Sequence, residues 1–266
     1  MDETNERRLT LKLIACNVFQ REACWCLAKT PHLVDPVFVE LGLHVNPAYL
    51  RERLQSLIDA EDAQDIRHDA ILLLYGLCGN AAVGLQARRT PIIIPRAHDC
   101  ATILLGSAAR YQVVFGDNPS CPFSSIGYLE RGSETYRTEG GYTGVIGDTY
   151  ESYVERYGED NAKYLWQTLH PIREDEPALF IDLPETSNPE ALARARARLE
   201  SEGGGQAWKI ETGNIRMIQQ LINGVWPEEE YLVIPPFSIT QGVYDLKDVI
   251  AASAALITTN SVVQHV

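Results

Sequence analysis

The chain has no apolar stretch long enough to span a bilayer, no basic run, no C-x-x-C pair and no H-E-x-x-H helix, and each absence removes a class of function. Lysine and arginine total 23 against 36 aspartates and glutamates, a net charge of −13. A phosphate backbone is repelled by such a surface, so no nucleic acid is expected as partner. An anionic membrane surface is disfavoured for the same reason. The densest basic stretch, Arg194, Arg196 and Arg198, alternates with alanine and reads as one solvated face of a helix. No Gly-x-Gly-x-x-Gly, Walker-type loop or Gly-x-Ser-x-Gly elbow occurs, so neither dinucleotide binding nor serine hydrolysis has support. The charged stretch Met1 to Arg8 runs straight into an apolar segment with no signal-peptide pattern. A cytoplasmic protein is expected, and in that reducing setting the six cysteines read as thiols suited to metal or catalytic work.

What the chain has is an alternation. Hydrophobic residues make up 45% and charged residues 22%, enough for a buried core without disulfides. Apolar runs at residues 11–15, 70–75 and 91–94 read as buried strands, and residues 18–28, 47–60 and 101–109 as helices or helix starts. Pro31, Pro36 and Pro47 mark the stretch between 28 and 47 as loop-rich. Residues 119–147, rich in Gly, Ser, Thr and Tyr, read as a long functional loop, with a helix over 150–169. Strands at 178–182, 208–211 and 231–234 alternate with helices at 189–200 and 215–223, around a turn at 203–205. A final helix is expected over 245–255 and a tail after it. The pattern predicts an α/β fold of mostly parallel sheets flanked by helices. It forms one unit over 1–266, with candidate lobes 1–115 and 170–255 joined by 116–169.

In such sheets the carboxyl ends of the strands share one rim, where ligands bind. Cys16 ends the first strand, Cys78 follows the second, and His98 and Cys100 follow the third. In an extended segment His98 and Cys100 point to the same side, and Asp99 points away. Imidazole beside thiolate suits a borderline-soft cation such as zinc. Cys78, His98 and Cys100 are therefore candidate ligands, with Cys16 the fourth. Buried cysteine is also common as plain core packing, the weightier reading for Cys16 taken alone and the reading given to Cys24, Cys26 and Cys121. Asp99 and Glu22 are the candidate acid/base or orienting groups. Tyr75, Arg96, Tyr136, Glu211 and Asn214, at strand ends or in loops, are candidates for substrate contact. Tyr128, Tyr136 and Tyr142 lie in the stretch expected to cover the substrate.

The runs Leu72-Leu73-Leu74-Tyr75-Gly76-Leu77-Cys78-Gly79-Asn80 and Ile94-Pro95-Arg96-Ala97-His98-Asp99-Cys100 carry a resemblance. So do Ile14-Ala15-Cys16 and Gly213-Asn214 through Asn223-Gly224-Val225-Trp226. Together they resemble a widespread prokaryotic family catalogued as a domain of unknown function, similar across almost the whole chain. Several of its members are encoded beside corrinoid-dependent methyltransferases of methylamine-type metabolism. The resemblance implies no established reaction, but that neighbourhood points to one-carbon transfer. A His-x-Cys run with a distant cysteine is similar to the zinc site of methylcobamide-dependent thiol methyltransferases. Those are barrels, so the likeness is one of ligands.

Three readings follow. The first is a zinc-dependent transferase moving a methyl or other one-carbon group onto or from a small-molecule substrate. The second is a non-catalytic metal- or corrinoid-handling protein, partnered with a corrinoid or methyltransferase protein. The third is an enzyme with Cys78 or Cys100 as nucleophile and His98 as base. An iron–sulfur cluster in place of zinc stays open, as does a bound corrinoid.

Overall fold

The computed structural model describes residues 7–43, 46–63, 67–76, 80–117, 121, 123–131, 137–138, 141–142, 154, 158–159, 161–163, 179–201 and 209–240. The readings at 203–205 and 245–266, and most of the helix expected over 150–169, lie outside the described residues.

The apolar runs become central strands. β1 (Thr10–Cys16), β3 (Ala70–Leu74) and β4 (Ile92–Pro95) are covered on both faces, so they read as continuous hydrophobic runs. Their side chains still alternate between two cores. Leu11, Leu13, Leu72, Leu74 and Ile93 face one side, and Ile14, Ile71, Leu73, Ile92 and Ile94 face the other. The second side is closed by Leu50, Leu54 and Ile58 of α2 (Pro47–Asp62). That helix starts where Asn46 accepts a bond from the Tyr49 N–H at 3.1 Å and proline occupies the first turn.

The first sheet has the order β10-β4-β3-β1-β2, parallel except for its last-joining member. β2 (Leu33–Val39) lies in the stretch read as a loop. Proline had argued against a strand there, but β2 is at the sheet's edge, where Pro36 needs no ladder partner on its open side. β10 (Tyr231–Ile234) returns from the second half of the chain to pair antiparallel with β4.

A second, parallel sheet has the order β5-β8-β9. It comprises β5 (Phe123–Ser125), β8 (Leu179–Asp182) and β9 (Lys209–Thr212). The stretch expected to be one long loop therefore supplies a strand of this sheet and then α5 (Ile126–Glu130). Further on, β6 (Arg137–Thr138) and β7 (Gly141–Tyr142) form an antiparallel pair.

The helix expected from residue 101 is two helices, α3 (Cys100–Leu105) and α4 (Ala108–Phe115). Gly106 divides them at φ +81°, where a Cβ would stand 2.7 Å from that of Asn214. α1 (Gln20–Leu27), α3 and α7 (Arg216–Ile222) pack on the side of the first sheet that faces the second, and α6 (Pro189–Ser201) covers the far side of the second sheet. Among the described residues no helix is long and apolar enough to cross a membrane.

Candidate functional site

The chain leaves β1 for β2 on one flank and then crosses to β3 on the other, so the loops beyond β1 and β3 diverge. In such sheets the crevice that binds ligands usually lies at this position. Two glycines pull its walls together. A Cβ on Gly76, just past β3, would lie 2.6 Å from the Asp99 Cα, so only glycine lets the β3 exit meet the His98–Cys100 segment. A Cβ on Gly127 would lie 1.8 Å from the Val18 carbonyl oxygen, so α5 of the second sheet sits hard against the turn Asn17–Phe19 after β1. Arg131 tightens this seam by donating to the Asn17 carbonyl at 3.4 Å and to the Gln20 side chain, and Arg21 pairs with Glu130. The carboxyl rims of the two sheets thus meet across one seam.

On the first rim, Asp99 is the N-cap of α3. Its Oδ1 accepts from the Thr102 N–H at 2.9 Å and the Thr102 hydroxyl at 3.1 Å. Its Oδ2 accepts from His98 Nδ1 at 3.3 Å, and burial together with the nearby Asp99 carboxylate raises the pKa of the Tyr111 phenol. The bond to Asp99 raises the His98 pKa above its ordinary value, against the opposing effect of burial. Asp99 therefore does not point away from His98, as an extended segment had suggested. The helix begins at Cys100, which breaks the strand-like alternation. Cys100 turns to the second rim, where its sulfur lies 2.7 Å from the hydroxyl of Tyr128 on α5. Tyr128, expected on a covering loop, is a buried anchor between the two sheets.

Cys16 is half-buried beside this seam. Burial pushes its thiol up to about 11, with the Val18 backbone and Arg131 pulling weakly the other way. Glu22, one turn into α1, is buried at 1% exposure, and its Oε1 accepts from the Thr186 hydroxyl beyond β8 at 2.9 Å. Burial also raises its carboxyl pKa. Among the described residues, the buried atoms Asn17 Oδ1, Glu22 Oε2 and Ser125 Oγ on this seam have no hydrogen-bond partner, nor has Asp182 Oδ1 at the exit of β8. Of these, only Glu22 was singled out by its place in the sequence.

The other candidates scatter. Tyr75 is buried at the β3 exit. Arg96 donates to the Glu228 carbonyl at 2.8 Å, steering the chain into β10. Glu211 is held by Arg110 at 2.9 Å and Lys209 at 2.8 Å. Asn214 takes the Arg216 N–H on its side chain at 2.9 Å, and its own N–H reaches the Leu104 carbonyl at 2.8 Å. Cys78 and Tyr136 lie outside the described residues, as does the side chain of Tyr142. Cys26 is a core residue whose thiol is pushed up to about 12 by burial. Among the described residues no three His, Cys, Asp or Glu side chains cluster closely enough to hold a metal ion. An open groove of about 520 Å3 along α2, between Arg51, Asp59 and Arg88, contains none of the candidate groups.

A family model described as a protein of unknown function, DUF1638, matches residues 38–220. No curated protein and no solved structure matches the chain.

Proposed function

The chain belongs to that family, and with no activity attached to it we propose a function from the crevice itself: a zinc-dependent enzyme that transfers a methyl or other one-carbon group. In this reading Cys100, His98 and Cys16, together with Cys78, hold the metal. One observation supports it above the rest. His98 spends Nδ1 on the Asp99 carboxylate, the arrangement by which metal-binding histidines are oriented, and this leaves Nε2 for a cation. The donors are sulfur and imidazole, which suit zinc. Bound zinc would keep a sulfur nucleophile as thiolate at neutral pH. The high pKa of the buried Cys16 thiol fits this, because such a sulfur ionises readily only beside a cation.

The chain's own groups would do the rest. Asp99 fixes the imidazole ring, Tyr128 holds the Cys100 sulfur, and Glu22, whose carboxyl pKa is raised by burial, would serve as acid or base at the seam. The family resemblance adds the one-carbon class and a corrinoid or methyltransferase protein as the partner to look for. The test is metal content of the full-length protein purified without a histidine tag. The expected result is about one zinc per chain, largely lost in Cys100→Ser and in Cys78→Ser. Undiminished zinc in both variants rules out this ligand set.

A second reading takes Cys100 as a nucleophile, with His98 as base oriented by Asp99. It is favoured by the same His98–Asp99 contact, which would orient the imidazole as a base. Here chelator leaves activity intact and iodoacetamide destroys it, the reverse of the zinc expectation.

A further inference from the structure

Buried polar atoms in native proteins nearly always have a partner, so several orphans on one seam call for an explanation. Glu22 Oε2 and Ser125 Oγ belong to side chains that are each 1% exposed, and Asn17 Oδ1 lies on the turn between β1 and α1. These three come from segments already stitched together. The Glu22–Thr186 bond holds α1 to the exit of β8, and Ser125 ends β5 in register with Ile181 of β8. The Gly127–Val18 approach presses the start of α5 onto the Asn17 turn.

The chemistry of the three atoms is one-sided. A carboxylate oxygen and an amide oxygen only accept, and a hydroxyl accepts readily. Among the described residues no cation is paired with Glu22. Arg21, whose charge reaches it, is paired with Glu130, and Arg131 is spent on Asn17 and Gln20. A buried carboxylate without a cation is costly, and burial accordingly pushes this carboxyl toward its neutral form. A ligand that brings positive charge and N–H donors answers both deficits, and a primary ammonium offers three donors for three acceptors.

We propose that this seam binds an alkylammonium group, with Glu22 Oε2 as its counter-ion and Asn17 Oδ1 and Ser125 Oγ taking its remaining N–H donors. The site rests on the functional reading only in placing this ligand beside Cys16 and Cys100. Its own basis is the unpaired acceptor set.

The test is calorimetric titration of the full-length protein with propylammonium chloride at constant ionic strength, with 1-propanol and sodium propionate in parallel. Propylammonium should bind saturably, while the neutral and anionic analogues should not. Glu22→Gln keeps the shape and a partner for Thr186 but removes the charge, and should weaken binding by about 10- to 100-fold. Ser125→Ala, which leaves the charge in place, should weaken it by about tenfold or less. Absence of saturable propylammonium binding overturns the proposal. So does equal binding of 1-propanol, or unchanged affinity in Glu22→Gln and Ser125→Ala. No step of this experiment reads zinc or turnover. Loss of the zinc reading in Cys100→Ser would leave the ammonium site standing, and the converse also holds.

Discussion

Among the described residues two histidines sit beside carboxylates, and they sit there differently. His68 lies near the amino ends of the first sheet, just before β3. Glu61 of α2 takes its Nδ1, and Asp35 of β2 takes its Nε2 at 2.9 Å. Lys12 of β1, in register with Asp35, stands 3.7 Å from the other oxygen of Glu61. Both ring nitrogens are therefore engaged by carboxylates, and neither is left over. His98, at the carboxyl ends, is half-exposed and spends one ring nitrogen on Asp99. The two sites use the same residue types. One has both ring nitrogens engaged by carboxylates inside the fold, and the other is half-exposed with only one so engaged. That difference, more than the presence of histidine, separates a structural cluster from a candidate site.

The largest effect should come from breaking the closed network. His68→Leu removes the ring that joins two carboxylates and takes that partner from Glu61, whose side chain is 2% exposed. Taking the hydrogen-bonded partner from a buried carboxylate typically costs about 3–5 kcal/mol. Urea denaturation should show a loss near the lower figure, because Asp35 remains partly solvated, and zinc content should not change. A loss below about 1 kcal/mol would mean the His68 network is not closed in solution.

Asp99 separates the two roles within one side chain. Asp99→Ala removes the cap of α3, and thermal or urea unfolding should report a loss of about 1–2 kcal/mol. Asp99→Asn retains an acceptor for Thr102 but removes the charge beside His98. It should unfold nearly like the wild type, yet bind zinc about tenfold more weakly if Asp99 orients the ring. Equal metal affinity in the wild type and Asp99→Asn would reduce Asp99 to a cap alone.

The sequence reached the first sheet and stopped short of the seam. β1, β3 and β4 announced themselves because strands buried on both faces read as unbroken apolar runs. Their exits then followed from topology, which is why Cys16, His98 and Cys100 could be placed on one rim. β2 was hidden by Pro36, whose position at an edge is a property of the sheet and leaves no mark in the local sequence. β5 is three residues long inside a Gly- and Ser-rich stretch, so Tyr128 was read as a loop residue. The Cys100–Tyr128 contact spans two sheets and has no local signature. The Asp99 cap did leave one, because aspartate three residues before Thr102 at a helix start is a capping pattern. The His68–Glu61–Asp35 network joins three elements through the tertiary fold and could not be read from spacing.

Glu22 gives a comparison that pH can sharpen. Its folded pKa is raised by burial, so the native state holds a proton that the unfolded chain has released. Between the ordinary glutamate value and the raised folded value, stability therefore falls as pH increases. Glu22→Gln should flatten that slope. Wild type and variant should differ little below about pH 4, and the variant should gain relative stability toward neutrality. Denaturation midpoints measured across this range check it, and parallel curves would mean Glu22 is ionised in the native state at all these pH values.

The smallest stability effect should be at His98, and its smallness is the point. The side chain is 52% exposed and shares one carboxylate that Thr102 also uses. Surface pairs of this kind contribute about 0–1 kcal/mol. His98→Gln should therefore unfold within about 0.5 kcal/mol of the wild type, while losing zinc or, in the second reading, losing Cys100 reactivity toward iodoacetamide. If it instead unfolds like His68→Leu, the two histidines belong to the same class and the crevice has lost its best candidate. Unchanged stability, zinc content and thiol reactivity would likewise remove His98 from the site. The designation of this rim as functional requires the combination of near-native stability with altered chemistry.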